Sequence, residues 1–214
     1  MRIFIFGDSI AQGFYDSAGG WAQRIANELH QATLASMLKG VGGEFEVFNL
    51  GISGDTVVGL LDRIERETET RRLYEDKEVI IIGIGMNDVV LRENLEVMDV
   101  YKFQEYIEKL SKKALAICQN VIFVGLTAVD ESLADPWKFS SSGKQWKNER
   151  INLFEDTLKQ CAEQSELFFV PIHDQFIAEL QAGKNLLSDG LHPNDEGHIL
   201  IANAVKAKLS ELKI

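Results

Sequence analysis

The sequence predicts an α/β fold: a three-layer α/β/α sandwich in which a five-stranded parallel sheet lies between two layers of helices. Short apolar runs alternate with longer segments of helical spacing, which is typical of βαβ units. No repeat, linker or low-complexity tract interrupts this alternation, and 214 residues fit a single domain over residues 1–214. Because right-handed crossovers leave few topologies, we expect the flavodoxin-like strand order 2-1-3-4-5.

The predicted strands are short, nearly continuous apolar runs rich in β-branched or aromatic residues. Such runs are typical of parallel strands buried on both faces. They are Ile3 to Phe6, Val79 to Ile84, Val121 to Leu126 and Leu167 to Val170. A fifth run, Phe45 to Phe48, is interrupted by Glu46, which favours a strand at the edge of the sheet.

The predicted helices carry apolar residues at the spacing that places them on one face. The stripes are Trp21, Ile25, Leu29 and Ala32; Phe103, Ile107, Leu110, Ala114 and Ile117; Ile151, Phe154, Leu158 and Cys161; and Ala202, Val205, Leu209 and Leu212. A further helix is expected from Val57 to about Tyr74, with Leu60, Leu61 and Ile64 facing inward.

Composition and charge exclude several classes of protein. The net charge is −11 at pH 7, which repels phosphate backbones and acidic lipid surfaces, so nucleic acid and membranes are not expected as partners. Cys118 and Cys161 cannot form a disulfide framework and are expected to be small buried apolar residues. The chain shows no signal-peptide core and no apolar run near the ~18 residues of a membrane span, so we expect a soluble, cytoplasmic protein.

Polar, glycine-rich segments follow the predicted strands. In open parallel sheets, ligands bind beyond the carboxyl ends of the strands, near the switch in strand order. The segments there are Gly7-Asp8-Ser9 after the first strand, Asn49 to Thr56 after the second, Gly85 to Asp88 after the third, and Ser188 to Asn194 before the last helix. We therefore expect these side chains to lie close together.

These four segments resemble the sequence blocks of the SGNH (GDSL-type) hydrolase family, and they occur in the family's order over nearly the whole chain. The resemblance implies an esterase. It implies that Ser9 is the nucleophile and that Asp189 and His192 complete a catalytic triad. It also implies an oxyanion hole formed by the backbone N–H of Ser9, the backbone N–H of Gly54 and the side-chain amide of Asn87.

The chemistry of the residues supports these roles independently. A serine hydroxyl is a weak nucleophile and needs an adjacent base, which His192 can supply because imidazole titrates near physiological pH. Asp189, three residues before His192, can hold the imidazole in one tautomer. Two backbone N–H groups and the Asn87 amide can converge on the negative oxygen of a tetrahedral intermediate.

Taken one at a time, the same segments also fit structural roles. Asp8 is suited to cap a helix and to hold the nucleophile loop by hydrogen bonds, and Asp55 or Thr56 is suited to cap the next helix. Asn194, after Pro193, is suited to cap the last helix. It is the joint occurrence of the segments at one sheet edge that favours catalysis.

Two other functions fit parts of the pattern. A metal-dependent phosphoesterase could use Asp8, Asn87, Asp189 and His192 as ligands, but the sequence has no two-histidine spacing or carboxylate cluster. A non-catalytic nucleotide or flavin-binding module would share the architecture, but the sequence lacks both a P-loop and a strand-to-helix G-x-G-x-x-G.

The predicted function is a serine esterase acting on a small-molecule ester, with a small soluble or short-acyl ester favoured and with no cofactor or metal. A lysophospholipase or an acyl thioesterase with the same triad is the alternative. Residues 128–146, which include Trp137, Phe139 and Trp146, form either a lid or pocket wall or a surface loop with its aromatic side chains packed on the sheet. Residues 89–98 are the other candidate wall.

The remaining histidines are expected outside the chemistry. His198 falls on the apolar stripe of the last helix and is predicted to be a packing histidine with satisfied hydrogen bonds. His173 is expected to start a short helix, and His30 is expected to face solvent.

Overall fold

The computed structural model describes residues 1–42, 44–73, 77–139 and 141–214. Its strands are β1 Arg2–Gly7, β2 Glu46–Gly51, β3 Glu78–Gly83, β4 Leu91–Arg92, β5 Leu95–Glu96, β6 Val121–Val124, β7 Lys144–Gln145 and β8 Phe168–Val170. Its helices are α1 Ser9–Gln12, α2 Gly20–Leu38, α3 Val57–Glu69, α4 Val100–Ile117, α5 Glu131–Ala134, α6 Asn148–Gln164, α7 His173–Gln181 and α8 Asp195–Glu211.

The main sheet has five parallel strands in the order β2-β1-β3-β6-β8. The short strands β4, β5 and β7 form a separate three-stranded sheet. Counting only the five strands of the main sheet, the order is the predicted 2-1-3-4-5. The charged strand β2 lies at an edge, as predicted, while β1 and β3 are buried in the centre because apolar side chains cover both faces.

Three glycines lie side by side where the central strands end. Gly7 of β1 is in register with Gly51 of β2 on one side and with Gly83 of β3 on the other. A side chain at Gly7 would place its Cβ 2.3 Å from the carbonyl oxygen of Gly83, so only glycine fits there. The loops after β1, β2 and β3 therefore leave the sheet next to one another and at the same level.

Helices cover both faces of the main sheet. Helix α2 packs against α8, while α3 packs against α4 and α4 against α6. Right-handed crossovers put α2 and α8 on one face and α3, α4 and α6 on the other. The fold is the predicted three-layer arrangement.

The predicted apolar stripes face the core, with full burial at most positions and partial burial at Leu29, Leu61, Ile117 and Leu212, and with two differences. In α2 the stripe is buried at Trp21 and Ile25, but Ala32 is exposed. The 19 residues of α2 span about 28 Å at 1.5 Å per residue, which exceeds the length of a six-residue strand, so its last turns extend past the sheet. Helix α3 ends at Glu69 rather than near Tyr74, and Tyr74 lies outside the described residues. No helix in the described ranges has the length and apolar character that crossing a membrane requires.

Two buried histidines outside the predicted site have opposite environments. His198 is fully buried, its Nδ1 accepts the N–H of Trp21 at 3.2 Å, and its Nε2 lies 3.2 Å from the carbonyl oxygen of Phe14. This is the predicted packing histidine with both nitrogens satisfied. His173 begins α7, as predicted, but neither of its ring nitrogens has a hydrogen-bond partner in the described part of the chain. His30 is exposed, as predicted.

Both cysteines are buried and free, as predicted. Burial raises the pKa of each thiol, to about 11 for Cys161. A thiol with a raised pKa is a poor nucleophile at neutral pH, so neither cysteine has the character of a catalytic group.

Candidate active site

Ser9 lies at the carboxyl end of the central strand β1, as the first residue of α1. Asp8 caps this helix, and its Oδ1 accepts the N–H of Ile10 at 2.9 Å. Because Gly7 is in register with the last residues of β2 and β3, Ser9 lies beside the loops that follow those two strands. The predicted capping role of Asp8 is confirmed, and it is compatible with a reactive Ser9.

Ser9, His192 and Asp189 form one hydrogen-bonded chain. The Ser9 Oγ lies 3.0 Å from Nε2 of His192, and Nδ1 of the same ring lies 2.8 Å from Oδ2 of Asp189. All three side chains are buried, with 6 to 7% of each residue exposed. This is the geometry that a nucleophile, a base and an orienting acid require.

Asp189 is held in its charged form. Burial raises the pKa of this carboxyl, but the hydrogen bonds from the His192 ring and from backbone N–H groups outweigh it and leave the pKa below its usual range. The backbone donors are His192, at 2.7 Å, and Leu191, at 3.0 Å. Because the Asp189 carboxylate accepts a hydrogen bond from Nδ1 of His192, the ring proton lies on Nδ1. Nε2 is therefore free to accept the hydroxyl hydrogen of Ser9.

The loop that carries this pair is closed on itself. The N–H of Ser188 donates to the carbonyl oxygen of His192 at 2.9 Å, and Leu187 forms a β-bridge with Pro193. Asn194 then caps α8 by accepting the N–H of Gly197 at 3.1 Å, as the sequence predicts. His192 is therefore fixed by a short loop anchored to a long helix.

The two other predicted oxyanion-hole residues lie at the same cavity. A cavity of about 140 Å³ is lined by Ser9, Gly54, Asn87 and His192, among others. Gly54 has a φ of +78°, a left-handed conformation that favours glycine. The Asn87 Nδ2 donates one hydrogen to the carbonyl oxygen of Asp55 at 2.9 Å, which fixes the amide and leaves its second hydrogen for the cavity.

The structure thus brings all five predicted site residues together. Four line the cavity, and Asp189 lies directly behind His192. A larger and more open groove of about 700 Å³ is lined by Ser188 and Gly190, which belong to the loop that carries Asp189 and His192. None of the predicted catalytic side chains lines that groove.

The two candidate wall segments meet beside the cavity. Strands β4 and β5 belong to the wall segment 89–98, and β7 belongs to the wall segment 128–146. Strand β4 pairs with both β5 and β7. Trp137, Lys144 and Trp146 line the cavity, so the second segment forms a pocket wall. Phe139 is instead 62% exposed, and Ser140 lies outside the described residues.

Trp146 joins this wall to the loop that carries Asn87. It is 2% exposed, and its Nε1 donates to the carbonyl oxygen of Met86 at 2.7 Å. Met86 directly precedes Asn87 and lines the same cavity. The position of the Asn87 loop therefore depends on the wall as well as on the main sheet.

Three aromatic rings surround the imidazole of His192. The ring centroids of Tyr15, Phe14 and Trp137 lie 5.4, 5.8 and 5.9 Å from it. Sequence reasoning did not single out Phe14 and Tyr15, although their place directly after the Ser9 helix and its Gly13 turn is a usable signal. They restrict the imidazole and shape the entrance to the cavity.

Two buried carboxyls lie beneath the site. Burial raises the pKa of Asp8 to about 6. Burial, reinforced by the charges of Asp8 and Asp55, raises the pKa of Asp88 to about 7. The Asp88 carboxyl accepts the N–H of Val57 at 3.1 Å and so ties the start of α3 to the loop after β3. The burial of Asp88 is not predictable from the sequence, because Asn87-Asp88 also fits an exposed turn.

Arg63 connects the first two loops from below. It lies on α3 and is 8% exposed, and its guanidinium pairs with Asp55 at 2.7 Å. It also donates to the carbonyl oxygens of Leu50, at 2.8 Å, and Gly7, at 3.2 Å. Asp55 is the residue whose carbonyl oxygen accepts from the Asn87 amide, so Arg63 supports the position of Asn87 through one intermediate residue.

The side chains proposed as metal ligands for a phosphoesterase are engaged elsewhere. Asp189 is bonded to His192, and Asp8 caps α1. Among the residues that the structure describes, no three His, Cys, Asp or Glu side chains come together as the ligands of a metal ion would.

Solved structures share this fold. A member of the lipolytic G-D-S-L family from Veillonella parvula is 20% identical, with a TM-score of 0.73 and coverage of 98% of both chains. A lipase/acylhydrolase from Enterococcus faecalis is 22% identical, with a TM-score of 0.73 and coverage of 97% of this chain and 94% of that one. An acetylxylan esterase from Geobacillus stearothermophilus is 20% identical, with a TM-score of 0.71 and coverage of 97% and 93%.

No curated protein matches the sequence. The family comparison is decisive, because the GDSL-like Lipase/Acylhydrolase family matches residues 5–200 and so includes every residue of the candidate site. The chain therefore belongs to the GDSL-like lipase/acylhydrolase family and is an ester hydrolase.

Proposed function

We propose that this chain is a serine esterase that hydrolyses carboxylic esters with short acyl groups through an acyl-Ser9 intermediate. The observation that carries the proposal is the chain of hydrogen bonds from Ser9 Oγ through His192 to Asp189, with distances of 3.0 and 2.8 Å. The Ser9 end of this chain of hydrogen bonds lines a cavity that is also lined by two further candidate donors, Gly54 and Asn87.

In the first half-reaction, Ser9 Oγ attacks the ester carbonyl carbon and its proton passes to Nε2 of His192. The negative oxygen of the tetrahedral intermediate accepts hydrogen bonds from the N–H groups of Ser9 and Gly54 and from the Asn87 amide. Asp189 stabilises the imidazolium. The bond to the alcohol then breaks, and the leaving oxygen takes the proton from Nε2.

In the second half-reaction, water takes the place of the alcohol. Nε2 of His192 accepts a proton from the water as its oxygen attacks the acyl carbon. The new intermediate collapses, the bond to Ser9 Oγ breaks, and the proton on Nε2 returns to the serine oxygen. The products are a carboxylic acid and the free enzyme, and the proton balance closes without a cofactor.

The size of the cavity supports a short acyl group. Its volume of about 140 Å³ lies below the ~300 Å³ at which pockets for drug-sized ligands begin. Trp146, Met86 and Leu191 in its lining give the acyl group an apolar surround. A thioester with a short acyl group fits the same chemistry, whereas the long chain of a lysophospholipid exceeds this space.

Covalent labelling tests the proposal. A fluorophosphonate should modify Ser9 in the wild type, as read by peptide mass spectrometry, and should leave Ser9→Ala unmodified. Ser53→Ala is the matched control, because Ser53 lines the same cavity but has no histidine partner among the described residues. Labelling of Ser53, or loss of labelling on addition of a chelator, would contradict the proposal.

A chain-length series tests the substrate class. We expect kcat/KM to be highest for 4-nitrophenyl acetate or propionate and to fall steeply by the octanoate. A flat or rising series would place the acyl group outside the 140 Å³ cavity and would remove the argument for short-acyl esters.

A further inference from the structure

Lys144 places a positive charge in the wall of the cavity that contains Ser9. It lies on β7, and Trp146, two residues later in the chain, also lines the cavity. Its side chain is half-buried. Among the described residues, no aspartate or glutamate lines the cavity, and the proposed proton transfers make no use of this ammonium group.

A second cation lies directly opposite. The register of the small sheet pairs Lys144 with Arg92 of β4, and residues paired in this way project from the same face. Like charges directly opposite each other destabilise a pair of strands. The stability of the small sheet therefore does not explain this cross-strand cation pair, Arg92 and Lys144.

Two carboxylates near the small sheet are paired with other cations. Asp135 pairs with Lys147 at 3.4 Å, and Glu96 pairs with Arg150 at 2.7 Å. Within the described ranges, neither member of the cross-strand cation pair makes an ion pair with a carboxylate. This is notable in a chain with a net charge of −11, in which acidic side chains outnumber basic ones by 33 to 22.

We propose that the cross-strand cation pair binds a carboxylate on the substrate, so that the enzyme selects esters that carry a negative charge near the reacting carbonyl. The inference rests on the proposed function of the Ser9 site. Lys144 contacts the carboxylate from the cavity wall, and the exposed Arg92 lies farther out and attracts it towards the entrance. A carboxylate is favoured over phosphate because a second negative charge is repelled more strongly by an acidic protein.

Two matched pairs of esters test where the charge lies. The first pair is 4-acetoxybenzoate and methyl 4-acetoxybenzoate, which differ by a carboxylate on the leaving group. The second pair is phenyl hydrogen succinate and phenyl methyl succinate, which differ by a carboxylate on the acyl group, with enzyme-free rates subtracted. In one of the two pairs we expect the wild type to favour the anion in kcat/KM by about tenfold or more, as charge-assisted hydrogen bonds allow.

The variants assign the preference to Lys144. Lys144→Gln should reduce the anion-to-neutral ratio to about one, and Lys144→Arg should retain most of it. Lys159→Gln is the matched control, because it removes the same charge from an exposed position on α6 and should leave the ratio unchanged. Added salt should lower the wild-type ratio, because screening weakens charge pairs.

Binding to a protein that lacks the nucleophile separates this inference from the proposed function. In Ser9→Ala, calorimetry should show tighter binding of the anionic ester, and the Ser9→Ala/Lys144→Gln double variant should lose that difference. Binding preference without any ester turnover in the wild type would support the anion site and overturn the proposed esterase. Turnover with Ser9 labelling but no anion preference, or a preference that survives Lys144→Gln, would overturn the anion site alone.

Discussion

The two sheets of the molecule differ in how they are held and in what they present. The central strands of the main sheet are buried on both faces, and the loops at their carboxyl ends place Ser9, Gly54 and Asn87 around one cavity. The small sheet consists of two-residue strands with an exposed edge, where Leu95 is 71% exposed, and it presents Lys144 to the same cavity. We infer that the main sheet supports the reacting groups and that the small sheet supports selection of the substrate.

The largest effect is expected where the main sheet presents Ser9, the proposed nucleophile. Ser9→Ala and His192→Ala should each lower kcat for 4-nitrophenyl acetate by about 10³-fold or more, because each removes a group that acts only in combination with the other. The double variant should be no slower than the single variants, as measured by steady-state kinetics. Near-normal turnover in either single variant, or additive losses, would show that the two side chains do not act as one unit.

A smaller loss is expected at the oxyanion side. Asn87→Ala should lower kcat by about 10²–10³-fold, the usual cost of removing one donor, with little change in KM. The exposed Asn152→Ala on α6 is the control and should retain wild-type kinetics. A rise in KM with kcat unchanged would assign Asn87 to ground-state binding and remove it from the oxyanion hole.

The next effect concerns Trp146, whose hydrogen bond to Met86 connects the two sheets. Trp146→Phe removes the 2.7 Å hydrogen bond to Met86 and leaves a buried carbonyl oxygen unpaired. The free energy of unfolding, measured with urea, should fall by about 1–3 kcal/mol.

The same substitution should also lower kcat, because Met86 precedes the Asn87 loop. Phe139→Leu provides a comparison, because that aromatic residue is exposed and belongs to the same segment. If Trp146→Phe left both stability and kcat unchanged, the two sheets would be independent at this point.

The last effect concerns stability alone and lies in the half of the main sheet that is farthest from Ser9. Glu155 accepts the N–H groups of Leu126, Ile172 and His173, which follow β6 and β8, and burial raises its pKa from 4.5 to about 7. Between these two pH values the folded state keeps a proton that the unfolded state has lost, so the free energy of unfolding should fall as the pH rises, by at most ~1.4 kcal/mol per pH unit.

Glu155→Gln should remove this slope, as measured by urea unfolding at several pH values from 4.5 to 7. Glu163→Gln, at an exposed position on the same helix, should keep it. If stability still falls with rising pH in Glu155→Gln, the pH dependence belongs to other groups. The buried Asp88 is then the first candidate, since its pKa is also raised to about 7.

The main sheet was predictable because its signals are local and strong. Four of its five strands are nearly continuous apolar runs, and the polar residues that follow the strands had to meet because parallel strands end at one edge. The resemblance to SGNH hydrolases then assigned roles to Ser9, Asp189 and His192, which the structure joins by hydrogen bonds. His198 was also predictable, since its place on an apolar stripe demanded satisfied nitrogens.

The small sheet and the support beneath the site were not predictable. Two-residue strands such as β7 have no periodicity, so the pairing of Arg92 with Lys144 is set only by the tertiary fold. Arg63 and Asp88 are polar residues in segments that also fit an exposed face or a turn, and their burial depends on partners distant in sequence. Ala32 shows the converse, because a helix longer than the sheet exposes the last residue of a stripe that the pattern would bury.

The enclosure of His192 has a consequence for the order of events during turnover. With Phe14, Tyr15 and Trp137 around it and Asp189 bonded to Nδ1, the imidazole has little room to rotate. The same nitrogen would therefore receive a proton, deliver it to the departing alcohol and then receive another from water, without any reorientation between the steps. In the proposed mechanism, an alcohol that leaves slowly would occupy the position beside that nitrogen that water must take, so the exchange of alcohol for water, rather than the movement of the base, would govern how soon the acyl group is released.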